Sequence, residues 1–81
     1  MNGTFKKLES LTLFAKCLEK SIDFVKAIPQ ATKIHELCKG HPMHIALFGS
    51  QMVTYKSELV DKKNTKRWEH FIRILQMKEN L

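Results

Sequence analysis

The spacing of apolar residues constrains this chain most, because it predicts helices along almost the whole length. In the first third the apolar residues alternate spacings of three and four: Leu8, Leu11, Ala15, Leu18, Ile22 and Val25. Such an alternation forms one stripe along an amphipathic helix. Pro29 ends the stripe, since it biases the preceding residue away from helical backbone and suits the first turn of a new helix. We therefore predict a first helix over residues 4–28.

The same spacing predicts two further helices in the middle of the chain. The second covers residues 29–39 and ends at Gly40, which suits a left-handed C-terminal cap. The third covers residues 43–60 and contains Gly49 and Ser50 in its interior. A glycine inside a helix costs up to about 1 kcal/mol relative to alanine. It therefore indicates a kink, a close helix contact or a functional opening.

A fourth helix is predicted over residues 65–78, after the polar linker DKKN at residues 61–64. No alternation of apolar and polar residues is long enough to predict a strand. At 81 residues the chain has room for one core, since a domain of this size buries only about 60% of its unfolded surface. We predict one all-α domain over residues 1–81, a small bundle of about four helices in which sequential helices are roughly antiparallel neighbours.

The segment HELCKGHPMH, residues 35–44, has the composition of a metal site. Its candidate ligands are His35, Cys38, His41 and His44, at equal spacings of three. Structural zinc sites separate their two ligand pairs by a dozen or more residues, whereas only two residues intervene here. The HExxH pattern of zinc peptidases also fails, because Lys39 occupies the position of the second histidine. A zinc-binding module is thus the minor alternative, and we predict no metal ligand and no cofactor.

The two cysteines, Cys17 and Cys38, lie among apolar neighbours, and we predict that both are buried, reduced thiols. No apolar run approaches the roughly 20 residues that span a bilayer, and the first residues do not resemble a signal peptide. These features predict a cytoplasmic protein without a membrane span.

Enzymatic motifs are not found in this sequence. It contains no GxSxG, Walker or GxGxxG pattern, and its acidic residues are few and dispersed. A catalytic cleft would also remove apolar material from a small core. We predict that the chain is not an enzyme and assign no catalytic residue.

The formal net charge of +6 and the pI near 9.6 favour acidic partners. The densest basic stretch contains Lys62, Lys63, Lys66 and Arg67, next to Trp68. Basic residues beside an aromatic ring can combine phosphate contact with base stacking. Alternatively, these lysines form a solvated turn and Trp68 begins the apolar stripe of the fourth helix. Nucleic-acid binding is the alternative function.

The leading hypothesis is a small regulatory protein that binds another protein, as an inhibitor, adaptor or timing factor of the kind that viral or plasmid genomes encode. The chain carries many large apolar residues for its length, and methionines adapt readily at binding surfaces. The expected partner is acidic or presents an amphipathic helix, and a second copy of this chain is a further option. The predicted partner-binding residues are Met43, Phe48, Met52, Tyr55, Trp68, Phe71 and Met77.

Overall fold

A computed structural model describes residues 3–79 of the chain. It contains six helices in that range: α1 Lys7–Leu18, α2 Ile22–Lys26, α3 Pro29–Cys38, α4 Pro42–Thr54, α5 Lys56–Leu59 and α6 Lys66–Glu79. No strand occurs between residues 3 and 79. The predicted all-α bundle is confirmed. Within the same range, no helix has the length and apolar character needed to cross a membrane.

The predicted first helix is two helices. α1 begins at Lys7, three residues later than predicted, and the chain leaves the helical path at Glu19, whose angles of φ 57° and ψ 43° are left-handed. Ser21 then caps α2, its hydroxyl accepting a hydrogen bond from the Phe24 N–H at 3.2 Å. The apolar stripe continues in register across this break, so spacing alone does not locate it.

The predicted third helix is also interrupted. α4 ends at Thr54, and Tyr55, with φ −106° and ψ 26°, separates it from α5. The β-branched residues Val53 and Thr54 weaken the helix at this point. The carbonyl of Leu59, at the end of α5, accepts a hydrogen bond from the Trp68 indole N–H at 3.1 Å. This bond ties α5 to the buried start of α6.

Gly40 has the left-handed conformation predicted for it, with φ 69°. It follows Lys39, which is also left-handed at φ 56°. The Gly40 carbonyl accepts a hydrogen bond from the Phe5 N–H at 2.7 Å. A Cβ atom at this position would collide with the Phe5 carbonyl oxygen. The turn between α3 and α4 therefore requires glycine for its backbone angle and for the close approach of the N-terminal segment.

The core lies between the two central helices, α1 and α3, and the other helices that pack on them. α1 contacts α2, α3, α4 and α5, while α6 packs chiefly against α3. The buried side chains include Leu11, Phe14, Leu18, Val25, Ile34, Ile45, Met52, Leu59, Trp68 and Phe71. α4 thus rests mainly on α1, and α6 rests mainly on α3. This pairing leaves α4 and α6 side by side at the surface with little direct backbone contact.

Gly49 permits a close contact between α1 and α4. It is buried, and a Cβ atom built on it would lie 3.3 Å from the Cys17 Sγ and 3.7 Å from a Leu13 methyl carbon. A larger residue would push the two helices apart. Of the three explanations offered for this glycine, the structure supports the close helix contact.

The two cysteines are free thiols in different surroundings. Cys38 is buried as predicted, whereas Cys17 is only half-buried, so the prediction for Cys17 was wrong. Cys17 lies beside Gly49 near the surface of the α1–α4 contact, where part of its side chain stays open to solvent. Burial raises the pKa of both thiols, and that of Cys38 reaches about 11. Both are poor nucleophiles at neutral pH.

Candidate protein-interaction groove

An aromatic floor joins α4 to α6. The rings of Phe48 and Phe71 meet edge to face, with centroids 5.4 Å apart and an interplanar angle of 73°. Tyr55 packs against the same Phe71 ring at 6.3 Å. Phe48 and Phe71 are buried, and Tyr55 is half-buried. Edge-to-face aromatic pairs add to the stability gained from burial, so this floor holds the two helices in a defined relation.

α4 and α6 run in opposite directions along this floor. The Arg67 guanidinium, in the first turn of α6, lies 3.9 Å from the centroid of Tyr55 at the end of α4. Leu75, near the other end of α6, shares a cavity with His44 and Leu47 from the first half of α4. The two helices therefore form the two walls of a channel.

We call this channel the α4–α6 groove and define it by two adjoining cavities. The first has a volume of about 260 Å³, and its lining consists of Leu47, Phe48, Gln51, Tyr55, His70, Phe71 and Ile74. The second, of about 310 Å³, is lined by Thr4, Leu37, Cys38, Lys39, His41, His44, Leu47, Phe48 and Leu75. Leu47 and Phe48 line both cavities, so the two form one continuous depression.

Exposed apolar side chains concentrate along this groove. Leu47 on α4 is 48% exposed and Ile74 on α6 is 37% exposed, and both line the first cavity. Met43 lines a shallow cavity with Leu47, and Met77 lies one turn beyond Ile74 on α6. Both methionines are exposed. A contiguous exposed apolar patch on a small protein is typical of an interaction site.

Positive side chains outnumber negative ones around the groove. Lys39 lines one cavity. Lys66, Arg67 and Arg73 line a polar cavity that adjoins the other at His70, together with Glu58 and Glu69. Arg67 is paired with Glu58, with Nε 3.3 Å from the carboxylate. Among the described residues, no Asp or Glu lines either cavity of the groove. The groove is thus apolar at its centre, and basic residues outnumber acidic ones along its edges.

The structure divides the predicted partner-binding residues into three groups. Met52 and Trp68 are fully buried, so we no longer assign them to a surface site. Phe48, Phe71 and Tyr55 form the floor, where Phe48 and Phe71 expose little to a partner. Met43 and Met77 are exposed as a binding residue requires. Met52 and Trp68 were predicted from their size and their helical spacing. Large apolar residues at that spacing are also the ones that a helix buries in the core.

Sequence reasoning missed Leu47, Ile74, His70 and Arg73. Leu47 and Ile74 lie off the main stripes of their helices, and one signal for them was available. Leu47 directly precedes Phe48, and Ile74 directly precedes Leu75. Adjacent large apolar residues widen a stripe beyond what one neighbouring helix covers.

The predicted basic cluster does not form one surface. The Lys62 ammonium lies 4.9 Å from the Phe24 ring centroid and lines a cavity beside Pro29. Lys66 and Arg67 line a different cavity, with His70 and Arg73. Lys63 is exposed. Trp68 is 1% exposed, which leaves no face of its indole open for a nucleobase.

The histidines and Cys38 of residues 35–44 do not converge. The His35 Nδ1 lies 2.7 Å from the Ser10 hydroxyl oxygen, and Cys38 is buried. The rings of His41 and His44 stack with centroids 4.7 Å apart. Across residues 3–79, no three His, Cys, Asp or Glu side chains are arranged to hold a metal ion.

Comparisons with protein-family models, curated proteins and solved structures find no match for this chain.

Proposed function

We propose that this chain is a small regulatory protein that binds another protein in the α4–α6 groove. One observation carries the proposal: Leu47 and Ile74 are partly exposed on facing walls of an apolar cavity. Its floor contains the buried rings of Phe48 and Phe71. A partner side chain that enters this cavity would remove several apolar surfaces from water at once.

The groove offers enough apolar contact for a modest, specific interaction. Completing the burial of a half-exposed leucine or isoleucine contributes about 1 kcal/mol. Residues at the centre of an interface, shielded from water by their neighbours, contribute most of the binding free energy. Leu47 and Ile74 occupy such central positions because Met43, Met77 and the basic residues surround them. Both are expected to be essential for binding.

Photo-crosslinking tests this proposal directly. The variant Leu47→p-benzoylphenylalanine places a crosslinker in the groove, and the same residue in place of Val53 is the matched control. Val53 lies on the same helix and is 56% exposed, but it lines neither cavity of the groove. In cells of the source, one protein identified by mass spectrometry should crosslink at position 47 and not at position 53.

A second substitution tests whether the crosslink depends on an intact groove. Ile74→Glu, combined with the crosslinker at position 47, should reduce the adduct at least about tenfold, because a carboxylate in the apolar cavity remains unpaired. Val53→Glu should leave the adduct unchanged. Equal adducts at positions 47 and 53 would contradict the proposal, as would adducts that consist only of a second copy of this chain.

Nucleic acid is the other macromolecule to be distinguished in the same experiment. A cavity of about 450 Å³ beside α6 supports that alternative, because Lys66, Arg67 and Arg73 line it and outnumber the two glutamates there, Glu58 and Glu69. Phosphate contacts weaken steeply with salt. Crosslinks at position 47 to RNA or DNA that disappear when salt is raised would replace the protein-binding proposal with nucleic-acid binding.

A further inference from the structure

The groove has the length of a short helix. Along α4 it extends from His44 to the C-cap residue Tyr55, a distance of about 16 Å at the rise of an α-helix. Three turns of a partner helix have the same length. The two cavities follow one another along this line, and each exceeds the volume of about 150 Å³ that accommodates a benzene ring. Two large apolar side chains, one or two helical turns apart, would fill them.

The walls of the groove favour a helical occupant over an extended one. α4 and α6 use their own backbone hydrogen-bonding groups internally, so neither presents a free edge to a strand. A partner segment buried between them must therefore satisfy its own N–H and C=O groups. An α-helix does so within itself, whereas an extended peptide would leave them unpaired against Leu47, Phe48 and Ile74. Helix-in-groove recognition of this type uses apolar anchors at spacings of three, four and seven.

The edges of the groove specify the charge of that helix. Lys39 lies at one end and Arg73 beside the other, and neither forms an ion pair within the described residues. His44 and His70 line the groove between them. Acidic side chains flanking the apolar face of an incoming helix would meet the charges of Lys39 and Arg73, and basic side chains would be repelled by them.

The same charges disfavour a second copy of this chain as the occupant. Each copy carries a formal net charge of +6, and a symmetric contact through this face would bring the Lys39 and Arg73 side chains of two molecules together. Like charges placed opposite one another destabilise an interface. The occupant indicated by charge is therefore a different protein.

We infer that the α4–α6 groove takes an acidic amphipathic helix, with two large apolar anchors, from a protein partner. This inference rests on the proposed function and adds the chemistry of the partner segment.

Synthetic helices test the inference with the complete protein. The probes are 15-residue peptides with leucine anchors spaced three, four or seven apart and glutamate on both flanks, held helical by one staple on the outer face because short helices are marginal in water. Matched peptides replace every glutamate with lysine, and scrambled peptides keep the composition without an apolar face. Binding is followed by fluorescence anisotropy, and its location by amide chemical shifts.

The acidic peptides should bind at least about tenfold more tightly than the lysine peptides at low salt, and the difference should shrink at 0.5 M salt as exposed charges are screened. Amide shifts should cluster around Leu47 and Ile74. Leu47→Glu should abolish binding of every peptide. Arg73→Glu should narrow or reverse the difference in affinity between the acidic and the lysine peptides, while Arg73→Gln should give a difference between those of the wild type and Arg73→Glu. Leu47 and Arg73 are both exposed, so we expect these substitutions to leave the fold intact.

Failure of the inference is distinguishable from failure of the proposed function. Equal affinity for acidic and lysine peptides, or no binding of any acidic peptide, overturns the inference. If the Leu47 crosslink to an identified protein still depends on Ile74, the proposed function stands even though the acidic-helix inference has failed. If neither peptides nor a crosslinked protein depend on Leu47 and Ile74, both proposals are overturned.

Discussion

Replacing Gly40 with alanine should destabilise the fold by about 3 kcal/mol. A left-handed alanine costs about 1–2 kcal/mol, and the new Cβ would collide with the Phe5 carbonyl oxygen. That oxygen belongs to the backbone and cannot rotate away, so residues 3–6 must detach. Detachment loses the Phe5 N–H hydrogen bond to Gly40, about 1 kcal/mol, and the packing of the half-buried Phe5 ring, about 1 kcal/mol.

Urea unfolding followed by circular dichroism measures this loss. With an m value of about 1 kcal/mol/M for a small domain, the midpoint should fall by about 3 M, and the melting temperature should fall by about 12–24 °C. Gly3→Ala is the matched control, because Gly3 is also left-handed at φ 62° and has no atom within 4 Å of the added Cβ. It should cost less than about 1 kcal/mol, since the terminal segment can relax. Equal midpoints for the two variants would refute the argument from close approach.

Three further predictions test the backbone, the core and the buried thiol. Glu19→Gly should be about 1 kcal/mol more stable than Glu19→Gln in thermal melts, because both lose the same exposed carboxylate and only glycine relieves the left-handed strain; equal stabilities would contradict this. Met52→Ala should lower the free energy of unfolding by about 2–5 kcal/mol in urea titrations, while Met43→Ala should lower it by less than about 0.5 kcal/mol. Comparable losses would contradict the placement of Met52 in the core and Met43 at the surface. Burial raises the pKa of Cys38 to about 11 from 9.0, so above pH 9 the folded chain retains a proton that the unfolded chain loses. The free energy of unfolding should therefore fall by about 1 kcal/mol between pH 8 and pH 10. Cys38→Ala should lack this part of the pH dependence, and identical pH profiles for the two proteins would exclude the burial argument.

The helical architecture followed from sequence because each signal for it is local. Apolar spacing, Pro29 and Gly40 act within a few residues. Pro29 and Gly40 gave the correct helix start and turn, and apolar spacing gave the helical state but joined two pairs of helices into one each. The breaks at Glu19 and Tyr55 were missed because the stripe resumes on the same face after each of them. A periodic pattern reports which side of a helix is buried, and it is insensitive to a turn that preserves that side.

The groove could not be located in the same way, because it depends on which helices pack together. Leu47 and Ile74 are exposed since α4 rests on α1 and α6 on α3, and neither pairing is encoded in the spacing of one helix. Had α4 and α6 packed tightly on each other, the same two residues would have been buried. Met52 and Trp68 were misassigned for the converse reason: size and spacing identify candidates for burial as well as for binding.

Trp68 is an intrinsic fluorescence probe of α6, the helix that forms one wall of the groove. It is the chain's only tryptophan, and its buried indole, in the first turn of α6, donates a hydrogen bond to the Leu59 carbonyl at the end of α5. Its emission should shift to longer wavelength when α6 separates from the core and water reaches the ring. Because the indole lines neither cavity of the groove, a change at Leu47 or Ile74 that abolishes binding can be checked for an intact α6 in the same cuvette, without a label or a tag.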